Sequence, residues 1–150
     1  MTATARIAPF VLFVLLSTAC GAMYSARISV TRSTTEASFT QEERDAAKAT
    51  VVEIARAARF AETDPAGAAE PYHEFVSLSG KGSDQDTVTV SGMMRADRRE
   101  ILISVGDWRN GDPLPATEKL VADLRATLEQ EFPDAQLTVT TKQKPRILGP

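Results

Sequence analysis

The chain holds one cysteine, one tryptophan and one histidine among 150 residues, and only 6% of it is aromatic. With a single cysteine, Cys20, no disulfide can form within the chain. With a single histidine, His73, the three or four His, Cys or acidic ligands that zinc usually takes are hard to assemble, and no metal or other cofactor is expected. Positive charge is also in deficit: Lys and Arg number 17 against 20 Asp and Glu, a net −3. A mildly acidic domain has no electrostatic reason to bind a phosphate backbone, so nucleic acid is not an expected partner. No G-x-S-x-G turn is present to expose a serine nucleophile. Repeats and low-complexity tracts are absent. The one sustained apolar run, residues 7–16, is about half of the roughly 20 residues that a transmembrane helix needs.

The setting of that run is informative. The free amine and Arg6 give a weakly positive start, IAPFVLFVLL follows, and Ser17-Thr18-Ala19 supplies small residues ahead of Cys20 and Gly21. Positive start, apolar middle and small-residue end are the three parts of a secretory signal. With the cysteine directly behind them, the first 21 residues resemble a bacterial lipoprotein signal. Thr18 and Ala19 match that class, whereas Ser17 stands where it has an aliphatic residue and Leu16 comes one place early. The resemblance implies removal of residues 1–19, a lipid on Cys20 and a membrane anchor in the cell envelope. The domain would then face the periplasm or the cell exterior. Gly21, rather than Asp, resembles the outer-membrane default of enteric lipoproteins. An ordinary cleaved signal and an uncleaved anchor are the competing readings. Cleavage takes away one charged side chain, Arg6, and leaves about 130 residues, a single domain's worth.

Residues 20–38 are rich in Ser, Thr, Ala and Arg and read as the lipidated cysteine and a tether. Within them the alternation Arg27-Ile28-Ser29-Val30-Thr31 competes as an early strand. Residues 39–150 read as one α+β domain. Thr40 and Glu43 have the spacing of a capping box, opening a helix whose stripe is Ala47, Val51, Ile54, Ala58 and Ala61. That helix is expected to end near residues 60–62, before the Asp64-Pro65 break. Three strands follow at 72–79, 87–95 and 100–105. In the first, Tyr72, Val76 and Leu78 share one face, with His73, Phe75 and Ser77 opposite. A second helix presents Leu120, Val121, Leu124 and Leu128, and residues 136–142 form a last strand. The order α-β-β-β-α-β, with the optional early strand, predicts a two-layer sandwich. Two helices would cover one face of a mostly antiparallel four-stranded sheet.

The chemistry on offer is sparse. His73 could act as an acid or base, but Ser77, Ser79 and Glu74 are only close in sequence, which does not build a triad. The acidic loops at 83–86 and 107–112 lack the spacing of a twelve-residue calcium loop. Trp108 and Arg109 are the residue types most often found as interface anchors. The competing reading folds Trp108 back over the core edge. Arg95, Arg98 and Arg99 gather near one hairpin tip and Lys142, Lys144 and Arg146 near the C-terminus. Either group could meet anionic lipid or an acidic partner, or simply remain a solvated edge. The favoured expectation is a non-catalytic module, anchored through the lipid on Cys20, that binds an envelope protein through Trp108, Arg109 and Phe75. The alternatives are a small hydrolase joining His73 to acids of the 107–112 loop, and a passive binder of a small apolar ligand.

Overall fold

The computed structural model describes residues 24–32, 38–65, 70–80, 87–109 and 112–144, so the signal-like segment and Cys20 lie outside the described residues. The elements run β1 (Tyr24–Arg32), α1 (Gln41–Ala57), β2 (Phe60–Thr63), β3 (Tyr72–Gly80), β4 (Val88–Arg95), β5 (Glu100–Asp107), α2 (Pro115–Glu131) and β6 (Ala135–Gln143). The fold is α+β, with two helices and a six-stranded sheet in the order β2-β3-β4-β5-β1-β6. Every pairing is antiparallel. The sheet thus has two more strands than the expected four.

One extra strand is the early alternation: β1 lies between β5 and β6, with Ala26, Ile28 and Val30 fully buried. The other, β2, replaces the expected last turn of the first helix. Helix α1 stops at Ala57, and Arg59 takes φ 68°, turning the chain so that Phe60 enters the core. Four residues of β2 then pair along β3. Burial of a large aromatic has overridden a helical pattern that local propensity would have continued.

The capping box and the leucine stripe of the second helix are both present in the structure. Thr40 accepts from the Glu43 amide at 3.1 Å, and the Glu43 carboxylate accepts from the Thr40 amide at 2.8 Å. Glu43 also pairs with Arg32 at the end of β1. The Arg32 guanidinium lies 4.9 Å from the ring centre of Phe39, which meets Phe132 edge-on at 5.7 Å. The Phe39 amide donates to the Arg98 carbonyl at 2.7 Å, tying the β1–α1 connection to the β4–β5 hairpin. Leu120, Val121, Leu124 and Leu128 are all buried. They join Val51 of α1 with Ile28, Val90, Ile101 and Ile103 of the sheet in one core cluster.

The two ends of the sheet differ in what they carry. At one, Tyr24 stands opposite both Asp107 and Gln143. At the other, Arg32 stands opposite Ala135, beside the hairpin of Ala96, Asp97, Arg98 and Arg99. Strand β6 is an outer edge, pairing with β1 through nine consecutive residues without a bulge.

Candidate functional site

The registers of β3 and β4 decide where Phe75 points. A bulge between Glu74 and Val76 inserts one residue into β3, so side chains on either side of it do not alternate as the sequence pattern predicts. Phe75, expected on the open face with His73 and Ser77, is instead packed against the core cluster. Its ring crosses Gly92: a Cβ built there would lie 2.7 Å and 2.9 Å from two Phe75 ring carbons and 2.8 Å from Val76 Cγ1. Glycine at this position is what lets the ring lie across β4. The ring faces a cleft of about 380 Å³ at the β2 side of the sheet. Lys48 of α1, Thr63, the Asp64-Pro65 step and Ser77 complete its walls. Thr63 Oγ1 donates to Ser77 Oγ at 3.1 Å, closing the outer lip. Lys48 has no sequence feature that would single it out as a wall of this cleft.

The same bulge moves Tyr72, expected beside Val76 and Leu78, to the other face. There its hydroxyl donates to Glu100 Oε2 at 2.7 Å, and Ser29 Oγ donates to Oε1 of the same carboxylate at 2.5 Å. The hydrogen bond to Glu100 holds the Tyr72 proton and, with burial, raises its pKa above the usual tyrosine range, while Arg95 and Arg27 pull the other way. This three-residue network was not legible in the sequence, because its members come from three strands and the bulge in β3 decides which face Tyr72 takes.

Trp108 and Arg109 occupy a different place, the sheet end where β1 begins. Asp107, 1% exposed, accepts from Thr87 Oγ1 at 3.1 Å and from the Arg109 amide at 3.0 Å. The Trp108 amide donates to the Thr87 carbonyl at 3.0 Å. Arg109 Nη2 donates to the Asp112 carbonyl at 2.5 Å, and Gln143 of β6 donates to Asp112 Oδ1 at 3.0 Å. The backbone beneath Trp108 is therefore fixed to β4 and, through Asp112, linked to β6. Its indole is 54% exposed, the one large hydrophobic side chain left open among the described residues. The expectation that it caps the core edge is replaced by an indole held outward and a half-buried Arg109.

No family model, curated protein or solved structure matches this chain.

His73 and the acids of the 107–112 loop do not converge. His73 stands opposite Met94 and Asp107 opposite Val88, six residues apart along β4 and about 20 Å at strand spacing. The acidic stretch at 83–86 and two residues of the 107–112 loop lie outside the described residues. Among the described residues no group of three or more His, Cys, Asp or Glu side chains could hold a metal ion. No helix among them is long and apolar enough to cross a membrane. A second groove, about 490 Å³, runs between the helices past Ile54, Ala57, Ala58 and Ala126. The apolar ligand site expected between helix and sheet thus has its nearest counterpart between the two helices.

Proposed function

We propose that this chain is a lipoprotein of the cell envelope, anchored through Cys20, whose domain binds another envelope protein and performs no chemistry of its own. In this reading the domain is a two-layer sandwich, with both helices over one sheet face and the Ser- and Thr-rich face open. The anchor is supported by the order of positive start, apolar run, small residues and cysteine in the first 21 residues.

The observation that carries the binding role is the cleft at Phe75. An aromatic ring, held by a bulge on its own strand and by Gly92 on the next, forms one wall of an open cleft whose other walls include Thr63, Ser77, Glu62, Asp64 and Lys48. An aromatic anchor set within a polar rim is the composition of a protein-interface patch. Trp108 and Arg109, first grouped with Phe75, lie at the sheet end away from it and take a separate role.

A photo-crosslinking amino acid placed at Ser77 in the full chain, in cells, tests this reading. The expected result is one envelope protein captured reproducibly and lost when Phe75→Ala is added to a chain that retains its fold. Equal capture with and without Phe75, or none above background, would count against it.

A further inference from the structure

The short distance between Cys20 and the first strand has a geometric result. Only three residues separate Cys20 from Tyr24, where β1 begins. Four residue steps of fully extended chain reach at most about 14 Å. The lipid on Cys20, which rests on the reading above, therefore holds the Tyr24 end of the sheet close to a bilayer. Trp108 follows Asp107, the residue opposite Tyr24, and so shares that end. The far end cannot come as close without tipping the domain, since nine-residue β1 spans about 26 Å.

We infer that the Trp108 edge is a membrane-contact surface, and that its partner is the phospholipid bilayer itself. Trp is enriched at bilayer interfaces because its large apolar body enters the acyl boundary while the indole N–H stays among the headgroups. Here the indole is already exposed and its backbone already fixed by Thr87 and Asp107, so contact requires no refolding. The exposed Lys142, which stands opposite Ser25 one residue from the same end, adds positive charge where headgroup phosphates would lie, while half-buried Arg109 is held by the Asp112 carbonyl and braces the loop. The topology also separates the two basic groups seen in the sequence. Lys142 lies at the anchored end, whereas Arg95, Arg98 and Arg99 lie at the other and point away from the bilayer.

Trp108 is the only tryptophan, so its fluorescence reports this site alone. The full chain, processed in cells and purified, would be weighed by mass spectrometry for acyl chains and then reconstituted into phosphatidylcholine vesicles. Vesicles brominated near the headgroup end of the acyl chain serve as the quencher. The expected result is an acylated chain that floats with the vesicles, with a blue-shifted emission and a clear loss of intensity in brominated lipid. An acylated, floating chain whose emission is unshifted and unquenched would overturn the membrane contact and leave the anchor standing. An unacylated chain would overturn the anchor and the contact together.

Discussion

Gly92→Ala tests the packing that holds Phe75 in place. The added Cβ would meet Phe75 Cε2 at 2.7 Å, Val76 Cγ1 at 2.8 Å and Phe75 Cζ at 2.9 Å, all inside the 3.0 Å that real Cβ contacts essentially never breach. Reaching ordinary contact at 3.4 Å requires the ring to retreat by about 0.7 Å, toward the core cluster it packs against or the cleft it lines, and either move gives up packing. Overpacking of this kind costs about 1–3 kcal/mol. Replacing glycine in a strand returns about 0.4–1 kcal/mol by restricting the unfolded chain. The net expectation is a destabilisation of about 1–2 kcal/mol, or a melting temperature lower by about 3–8 °C. Urea and thermal melts of the wild type, Gly92→Ala, Phe75→Ala and the double variant form the assay. Truncating Phe75 removes two of the three close contacts, so Gly92→Ala should cost less than about 0.5 kcal/mol in that background. An equal cost in both backgrounds would refute the account, because the strain would then lie with Val76 or the backbone and not with the ring.

Two further outcomes are expected. Thr40→Ala removes the side-chain acceptor for the Glu43 amide and should lower stability by about 1 kcal/mol in a urea melt, with Thr40→Ser nearly neutral; an unchanged Thr40→Ala midpoint would show that the cap contributes nothing. Tyr72 keeps its proton more tightly in the folded chain than in the unfolded one, because its hydroxyl donates to Glu100. Its contribution is therefore fully present below the unfolded value near pH 10 and is lost as pH rises through the higher folded value. Between about pH 9 and pH 11, Tyr72→Phe should lose less stability than the wild type, and parallel losses would remove Tyr72 from the explanation.

What was legible in the sequence follows from how far each interaction reaches along the chain. The capping box at Thr40 and Glu43 and the stripe of Leu120, Val121, Leu124 and Leu128 depend on neighbours within two turns, and the structure has both. The valine and isoleucine faces of β4 and β5 were equally readable, since a half-buried strand alternates whatever lies beside it. Strand β2 was missed because Phe-Ala-Glu-Thr continues a helical pattern, and only the core decides that Phe60 must leave it. The bulge at Glu74–Val76 carries no glycine or proline to mark it, so Tyr72 and Phe75 were each read onto the wrong face. The site residues divide the same way. Trp108 and Arg109 were visible as residue types, but exposure of the indole depends on Asp107 and Thr87, which belong to different strands.

The unbulged outer edge of β6 sets how copies of this protein can meet. Nine residues of exposed ladder, with a single lysine to discourage pairing, form a template for another strand. On the proposed anchoring through Cys20, two copies held on one bilayer by the same sheet end would present these edges pointing the same way. Antiparallel joining would require one of them to turn over and lift its lipid about 26 Å from the surface. A bilayer would then act as an orientation filter on the crowd of neighbours. Without such a lipid the same domain would tumble, and its edge could grow into the pairing that anchoring disfavours.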